Sequence, residues 1–131
     1  MEEVLQFLKA NPTFFLATSI FNKPKVRPFG AMTQYNNRLY IVTNNQKEVY
    51  KQIVGKPYIE ICACNKDGYC LRIEAKLISD QDYHVKEKVL EEYPTLKSLY
   101  TIDDGIMEVL YLKDATATFS SFNDTPRSIT F

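Results

Sequence analysis

The stretch KVRPFGAMTQYNNRLYIVT, residues 25–43, is the part of the chain that best indicates its fold. Two runs of alternating apolar and polar residues flank Asn36-Asn37, and asparagine tolerates the positive φ angles of a tight hairpin. We therefore predict one strand over Lys25–Tyr35 and a second over Arg38–Thr43, paired antiparallel.

The first of these strands contains two residues that weaken a regular ladder. Pro28 has no N–H to donate, and Gly30 has no side chain to pack, so this strand should be bulged or lie at a sheet edge. Such a strand leaves backbone groups free for a flat polar ring, with Arg27 beside them as a cation. An ordinary edge strand with a solvent-facing arginine fits the same residues equally well.

Outward from this hairpin, turn residues and apolar periodicity indicate further short elements. Helices are predicted over Glu2–Ala10, Gln46–Val54 and Gln81–Glu92, with a helical piece near Thr95–Tyr100, and strands over Phe14–Ile20, Tyr58–Cys64, Tyr69–Ser79 and Ile106–Phe119. Because hairpin-linked strands outnumber the helices, we expect one domain over residues 1–131, mainly β with flanking helices, as an antiparallel sheet or barrel.

Composition excludes several classes of protein. The chain has 131 residues, and its nine Tyr and eight Phe supply more apolar area than a disordered chain would have. No apolar run approaches the roughly 20 residues that span a bilayer, and the start, Met1-Glu2-Glu3, lacks the basic residues of a secretory signal. We expect a soluble cytoplasmic protein that does not bind membranes.

The three cysteines, Cys62, Cys64 and Cys70, contain no C-x-x-C pair. Cys62 and Cys64 would share one face of a strand, too crowded for a normal bridge and without the other ligands that zinc needs. We therefore expect all three to be small buried side chains in a reducing compartment.

Overall neutrality hides an uneven distribution of charge. Residues 1–66 carry nine Lys/Arg against four Asp/Glu, and residues 67–131 carry seven against twelve. The positive excess concentrates between Phe21 and Lys56. A local surplus in a neutral protein fits a specific anion, although a solvated basic face offset by the acidic half explains the charge alone at least as well.

Common catalytic motifs are absent from the chain. Its four glycines form neither a dinucleotide-binding fingerprint nor a Walker loop. The single histidine, His84, lies in a polar helical stretch and is expected at the surface, and Asp103-Asp104 before Gly105 is typical of a turn. We expect no metal site, and the sequence identifies no catalytic side chain.

A second informative segment joins the end of a strand to the start of a helix. In Tyr40–Ile53, the first helical turn should point free N–H groups outward, with the Thr43 hydroxyl and the Asn44 amide nearby. Such helix starts attract phosphate, and an anion would explain Lys47 at an otherwise unfavourable position. Lys51 lies four residues on and shares its face. An amphipathic helix with exposed lysines is the alternative.

Together these segments resemble the FMN-binding split barrel of the pyridoxamine 5′-phosphate oxidase-like flavoproteins, and most of all its small nitroimidazole-reductase-like members. The matching motifs cover nearly the whole chain: Val26-Arg27-Pro28-Phe29, Thr43-Asn44, Lys47-Glu48-Val49, Lys56–Ile61, Leu71–Lys76 and Pro126–Ile129. The resemblance implies an antiparallel split β-barrel that binds FMN and forms a homodimer with each flavin at the subunit interface.

The resemblance also assigns roles to individual residues. Arg27 and Lys47 should hold the FMN phosphate, assisted by Thr43 and Asn44, while the backbone of Arg27, Pro28 and Phe29 borders the flavin ring. Lys51 is added from helical spacing. The longer C-terminal region that carries pyridoxal phosphate in true oxidases is missing, so we do not expect a true pyridoxamine phosphate oxidase.

The leading hypothesis is an FMN-dependent oxidoreductase that passes electrons from a reduced donor, such as NAD(P)H, to a small acceptor. One alternative keeps the fold but only binds flavin, or another planar cofactor, without turnover. Another is a barrel that binds single-stranded nucleic acid, which the acidic second half and a pI of 6.6 oppose. Its basic and aromatic platform would consist of Lys25, Arg27, Phe29, Tyr35 and Tyr40.

Overall fold

The computed structural model describes all 131 residues and places them in eight strands, three α-helices and one 3₁₀ helix. In chain order the elements are α1 (Glu2–Ala10), β1 (Phe14–Ile20), β2 (Lys23–Phe29), β3 (Thr33–Tyr35), β4 (Arg38–Asn44), α2 (Glu48–Gly55), β5 (Tyr58–Cys64), β6 (Cys70–Asp80), α3 (Tyr83–Glu92), the 3₁₀ helix (Pro94–Ser98), β7 (Met107–Ser120) and β8 (Arg127–Thr130). The mainly β architecture with flanking helices is confirmed.

The strands form one antiparallel sheet in the order β2-β1-β5-β6-β7-β4-β3, with β8 paired to β7. Apolar side chains from β1, β4, β5, β6 and β7 meet in one core cluster, which α1 and α2 close. Because strands from both halves of the sheet face the same core, the sheet is curved into a barrel. A smaller cluster lies outside β4 and β7, beneath α3.

The hairpin of residues 25–43 forms around Asn36 and Asn37, whose φ angles are 49° and 59°. The predicted strand over Lys25–Tyr35 is wrong in its extent, because the chain leaves the sheet at Gly30–Met32 and divides it into β2 and β3. β2 is an edge strand, as Pro28 predicted, and its pairing with β1 runs without a bulge from Phe14↔Phe29 to Ile20↔Lys23.

Helix α2 begins two residues later than the sequence predicts, so Lys47 is its N-cap residue rather than part of its first turn. The asparagines before it make a separate turn. The Asn44 Oδ1 accepts from the Gln46 N–H at 3.1 Å, and the Asn45 N–H donates to the Ile106 carbonyl at 2.9 Å. These bonds hold the backbone to β7 and delay the helix.

The cysteine expectation is wrong, because Cys64 and Cys70 form a disulfide and only Cys62 is a free thiol. The two bonded residues stand directly opposite each other at the end of the β5–β6 hairpin, with Cα atoms 4.1 Å apart. Residue spacing along one strand does not indicate this pair, because the pair depends on the register of the hairpin. None of the helices has both the length and the apolar character needed to cross a bilayer.

The turn before β7 is organised by one carboxylate. Asp104 accepts from the Ile106 and Met107 N–H groups through Oδ1, at 2.8 and 2.9 Å, and from the Thr101 N–H through Oδ2 at 2.9 Å. Although desolvation raises the pKa of Asp104, these backbone hydrogen bonds outweigh it and leave the pKa below its ordinary value.

We expect Asp104→Asn to lower the free energy of unfolding by about 1–3 kcal/mol, since it removes the charge from three hydrogen bonds. Folding lowers the pKa of this carboxylate, so its charge stabilises the fold fully at pH values above its pKa in the unfolded chain, about 4. The stabilisation is lost as the pH falls through its lower pKa in the folded protein. Urea unfolding at pH 7 and pH 3 measures both effects. The difference in free energy of unfolding between Asp104→Asn and the wild type should be smaller at pH 3 than at pH 7. Asp103→Asn, at the exposed neighbouring residue, should change the free energy of unfolding little at either pH.

Candidate functional site

A cavity of about 380 Å³ opens where the end of β2, the middle of β4, the start of α2 and the segment after α3 meet. This volume lies within the usual range for small-molecule sites. Its lining residues are Arg27, Pro28, Phe29, Gly30, Ala31, Val42, Lys47, Val49, Tyr93, Thr95, Leu96, Leu99 and Tyr100. Two cations among mainly apolar lining side chains give the cavity an amphipathic character.

Arg27 is held in place by neutral acceptors. Its Nη1 donates to the Leu16 carbonyl at 3.2 Å, the Thr18 hydroxyl at 2.8 Å and, more weakly, the Lys25 carbonyl at 3.4 Å. Its Nη2 donates to Gln52 Oε1 of α2 at 3.0 Å. The side chain is therefore oriented by β1 and α2 together, and is fixed before any ligand arrives.

The charge of Arg27 has no partner in the protein. The guanidinium forms no ion pair with a carboxylate, and its Nε–H and one Nη2–H have no protein acceptor. Desolvation by burial lowers the pKa of Arg27, although an arginine stays protonated at neutral pH. A half-buried, unpaired guanidinium with unused donors is suited to an anionic group.

Lys47 lines the same cavity from the N-cap of α2. Its side chain makes no hydrogen bond or ion pair, and the helix has no side-chain cap. The first intrahelical bond is from the Lys51 N–H to the Lys47 carbonyl, so the N–H groups of Glu48, Val49 and Tyr50 have no backbone acceptor. Lys47 and this helix start are therefore donors without a protein acceptor at the wall of the cavity that Arg27 also lines.

Thr43 and Asn44 do not line the cavity. Thr43 lies on the face of β4 that carries Leu39 and Ile41 into the barrel core, and its hydroxyl is buried without a hydrogen-bond partner. Asn44 lies on the same face as Val42, and its Nδ2 donates to the Tyr100 hydroxyl at 3.1 Å. Direct contact of either side chain with phosphate stays a prediction.

Lys51 is not brought to the cavity either. It is exposed, and its Nζ lies 3.7 Å from Glu48 Oε1, which satisfies its charge on the outer side of α2. Within α2, Val49 lines the cavity, and Gln52 contacts the Arg27 guanidinium without lining the cavity itself. Helical spacing from Lys47 does not bring Lys51 to this cavity, because Lys47 is the N-cap and precedes the regular helix.

Pro28 and Phe29 line the same cavity as Arg27, and their contact with a flavin ring stays a prediction. The Phe29 ring stacks on the buried Phe14 ring, with centroids 5.9 Å apart and planes 22° apart. Because Phe14 belongs to the barrel core, this stacking couples the position of the wall to the packing of the interior.

The sequence analysis missed the wall opposite β2 and the residues that orient Arg27. Tyr93, Leu96, Leu99 and Tyr100 come from the chain around the 3₁₀ helix, and Thr18 and Gln52 hold the guanidinium. The spacing of tyrosine and leucine residues over 93–100 is the sequence pattern that could have indicated this wall of the cavity. Nothing local in the sequence connects Thr18, Arg27 and Gln52, since they meet only through tertiary packing.

The five residues of the nucleic-acid alternative do not form one exposed platform. Tyr40 is 1% exposed, and its hydroxyl donates to Asp80 at 2.7 Å. Burial raises the pKa of Tyr40 to about 12. Arg27 is engaged with β1 and α2. Successive bases would therefore find no continuous stacking surface there.

Known proteins resemble this chain in family and in fold. The family model described as pyridoxamine 5′-phosphate oxidase matches residues 1–103, which include β1–β6, α2 and every lining residue of the cavity. No curated protein matches the chain in sequence.

Solved structures share the whole fold. A NimC/NimA family protein from Clostridium acetobutylicum is 40% identical, with a TM-score of 0.95 over 100% of this chain and 92% of its own. General stress protein 26 from Bacillus anthracis is 18% identical, with a TM-score of 0.77 over 99% and 97%. An FMN-binding protein related to pyridoxamine 5′-phosphate oxidase, from Nostoc punctiforme, is 16% identical, with a TM-score of 0.60 over 99% and 95%.

The last two likenesses concern the fold alone, whereas the family match and the 40% identical structure establish relationship. The curved antiparallel sheet corresponds to the split barrel of these proteins. This chain is therefore a member of the pyridoxamine 5′-phosphate oxidase-like family of FMN-binding split-barrel proteins.

Proposed function

We propose that this protein is an FMN-dependent oxidoreductase that passes electrons from a reduced donor, such as NAD(P)H, to a small acceptor. The observation that carries the proposal is the unpaired Arg27 guanidinium, fixed by Thr18 and Gln52 at the charged end of an otherwise apolar cavity. Few common ligands match two cations and several apolar side chains lining one cavity. FMN, with a phosphate and a tricyclic ring, is one of them.

The residues present fit the phosphate end of FMN. The Nε–H and the remaining Nη2–H of Arg27, the Nζ of Lys47 and the free N–H groups at the start of α2 supply donors for several phosphate oxygens. Charge-assisted hydrogen bonds of this kind are the strong ones. Thr18 and Gln52 keep the guanidinium oriented while it binds, so little side-chain entropy remains to be lost.

The ring end of the cavity is apolar and partly closed. Val42, Phe29, Leu96 and Leu99 provide walls that keep water from a planar ring, and the backbone of Arg27, Pro28 and Phe29 offers polar groups along its edge. The Tyr100 hydroxyl accepts from Asn44 Nδ2 and has no protein acceptor for its own proton, so it can donate to a ligand.

When bound, FMN supplies the redox chemistry by accepting a hydride from the donor and passing electrons to the acceptor. The protein then has to position the ring, neutralise the phosphate and leave a face open to the second substrate. Apart from its two cations, the only titratable side chains that line the cavity are Tyr93 and Tyr100. This composition fits transfer chemistry that depends on orientation rather than on an acid–base pair.

We also propose that the protein acts in the cytoplasm as a homodimer, with each flavin at the subunit interface. Size-exclusion chromatography with light scattering should give about twice the chain mass of 15.2 kDa in the presence of FMN. A monomer at micromolar concentration with flavin bound would contradict this part of the proposal.

The function is tested by an absorption titration followed by a turnover assay. We expect the protein to bind FMN with a shifted flavin spectrum and the bound flavin to bleach anaerobically with NADH or NADPH. Protein that stays colourless in excess FMN would contradict the proposal. Bound flavin that neither nucleotide reduces would favour the alternative of a flavin-binding protein without turnover.

A further inference from the structure

The chain between β2 and β3 leaves the sheet over Gly30–Met32 and forms part of the wall of the proposed flavin site. Gly30 and Ala31 line the cavity. Apart from its chain neighbours, no atom lies within 4 Å of the place that a Cβ would take at Gly30, so this backbone borders open space. No backbone–backbone hydrogen bond outside the strands involves the segment. Its position therefore depends on side-chain contacts.

One side chain, that of Tyr93, satisfies both backbone polar groups of Met32. The Tyr93 hydroxyl accepts from the Met32 N–H at 3.1 Å and donates to the Met32 carbonyl, also at 3.1 Å. Met32 is 2% exposed and belongs to the barrel core, so without this hydroxyl a buried donor and a buried acceptor would lose their partner. Both residues belong to the same chain, so the contact does not depend on a second subunit.

Tyr93 is itself held firmly at the end of α3. It is the C-cap residue, its N–H donates to the Val89 carbonyl at 2.9 Å, and its carbonyl accepts from the Leu96 N–H at 3.0 Å. Pro94 follows directly and begins the 3₁₀ helix, and the proline ring restricts the backbone of the residue before it. The Tyr93 hydroxyl therefore joins a segment without backbone hydrogen bonds of its own to a fixed point on the neighbouring helix.

The same hydroxyl ties two parts of the cavity wall to each other. Gly30 and Ala31 line the cavity from the β2–β3 connection, and Tyr93 and Leu96 line it from the chain around the 3₁₀ helix. A flat ring between such walls depends on their separation, because a gap of about 0.5–1 Å already forfeits roughly a quarter to a half of the contact energy. The Arg27 guanidinium is oriented by β1 and α2 instead, so it does not depend on this contact.

We propose that Tyr93 is a positioning residue for the flavin ring, and that its hydroxyl sets the separation of the two wall segments that hold the ring. This role rests on the proposed function, since it concerns how the same cavity binds FMN. No proton or electron passes through Tyr93 in this role. Loss of the hydroxyl should weaken binding of the ring and alter its surroundings, while recognition of the phosphate stays unchanged.

The test compares Tyr93→Phe with Tyr40→Phe in the binding of FMN and of riboflavin, which has the same ring but no phosphate. Each variant removes a tyrosine hydroxyl that is bonded inside the protein, but Tyr40 donates to Asp80 and does not line the cavity. We expect Tyr93→Phe to weaken binding of both flavins by the same factor, about three- to tenfold, so that their affinity ratio is preserved. At saturating flavin, the visible circular dichroism of the ring should change in Tyr93→Phe and not in Tyr40→Phe.

A second measurement uses the wild type alone, in case Tyr93→Phe does not fold. The Met32 amide should exchange its hydrogen through opening of the Gly30–Met32 segment, and the ring should bind only when the segment is closed. At riboflavin about ten times above its dissociation constant, exchange at Met32 should therefore slow about tenfold, as measured by nuclear magnetic resonance. The His84 amide, which donates to Asp82 away from the cavity, should keep its exchange rate.

The outcomes separate this role from the proposed function. A wild type that binds neither flavin would overturn the proposed function, and the role of Tyr93 with it. If the wild type binds both flavins, the role alone is overturned when Tyr93→Phe changes neither affinity nor circular dichroism, when Tyr40→Phe has an equal effect, or when riboflavin does not slow exchange at Met32. A loss of FMN affinity alone in Tyr93→Phe would also contradict it, because the hydroxyl would then act on the phosphate.

Discussion

Arg27→Ala is expected to weaken FMN binding about 10- to 150-fold, which corresponds to the roughly 1.5–3 kcal/mol of a hydrogen bond to a charged group. The side chain lies at the charged end of the cavity with unused donors, and its loss also leaves Gln52 Oε1 without the guanidinium. Fluorescence quenching of free FMN on titration with protein measures the dissociation constant directly.

Lys47→Ala should weaken FMN binding within the same range, because Lys47 is the second cation that lines the cavity. Lys51→Ala is the matched control, since it removes a lysine of the same helix that already pairs with Glu48 outside the cavity. Its effect should stay within about threefold, the scale of a screened surface charge. If the Lys51 change weakened binding as much as the Lys47 change, our placement of the phosphate would be wrong.

Phe14→Ala is expected to lower the free energy of unfolding by about 3–5 kcal/mol, the usual range for truncating a large buried aromatic side chain. Phe14 is 1% exposed, lies in the barrel core and stacks on Phe29. The void left by the truncated Phe14 side chain removes packing contacts from the core and from the wall of the proposed flavin site. Chemical denaturation followed by circular dichroism measures the loss.

Phe15 provides a control of identical chemistry at the next position. It is 47% exposed on the outer face of β1, so Phe15→Ala should cost less than about 1 kcal/mol. If the two variants lost equal stability, the inward direction of Phe14 would be contradicted. Phe14→Ala should also weaken FMN binding, because Phe29 loses the ring on which it stacks.

The sequence predicts the order of elements well because turn chemistry is local. Asn36-Asn37 adopt the positive φ angles that a hairpin needs, and Pro28 lies on an edge strand, where its missing N–H costs no ladder bond. The errors have non-local causes. β2 and β3 separate at Gly30–Met32, and α2 starts late because the Asn45 N–H is bonded to Ile106, the residue before β7.

The same contrast between local and non-local causes applies to the residues of the candidate site. Arg27, Pro28, Phe29 and Lys47 lie together as the motifs predict, because each follows from its place on β2 or at the start of α2. Thr18 and Gln52 escape prediction because only packing of α2 against β1 brings them to the guanidinium. The Cys64–Cys70 bond depends likewise on the register of two strands, which residue spacing does not determine.

The most direct measurement of the central claim compares FMN with riboflavin, which has the same ring but no phosphate, in the wild type and in Arg27→Ala. We predict that the wild type binds FMN at least tenfold more tightly than riboflavin, and that Arg27→Ala loses most of this difference while its riboflavin affinity changes little. Equal affinity of the wild type for the two flavins, or an undiminished preference for FMN in Arg27→Ala, would contradict a phosphate held by Arg27.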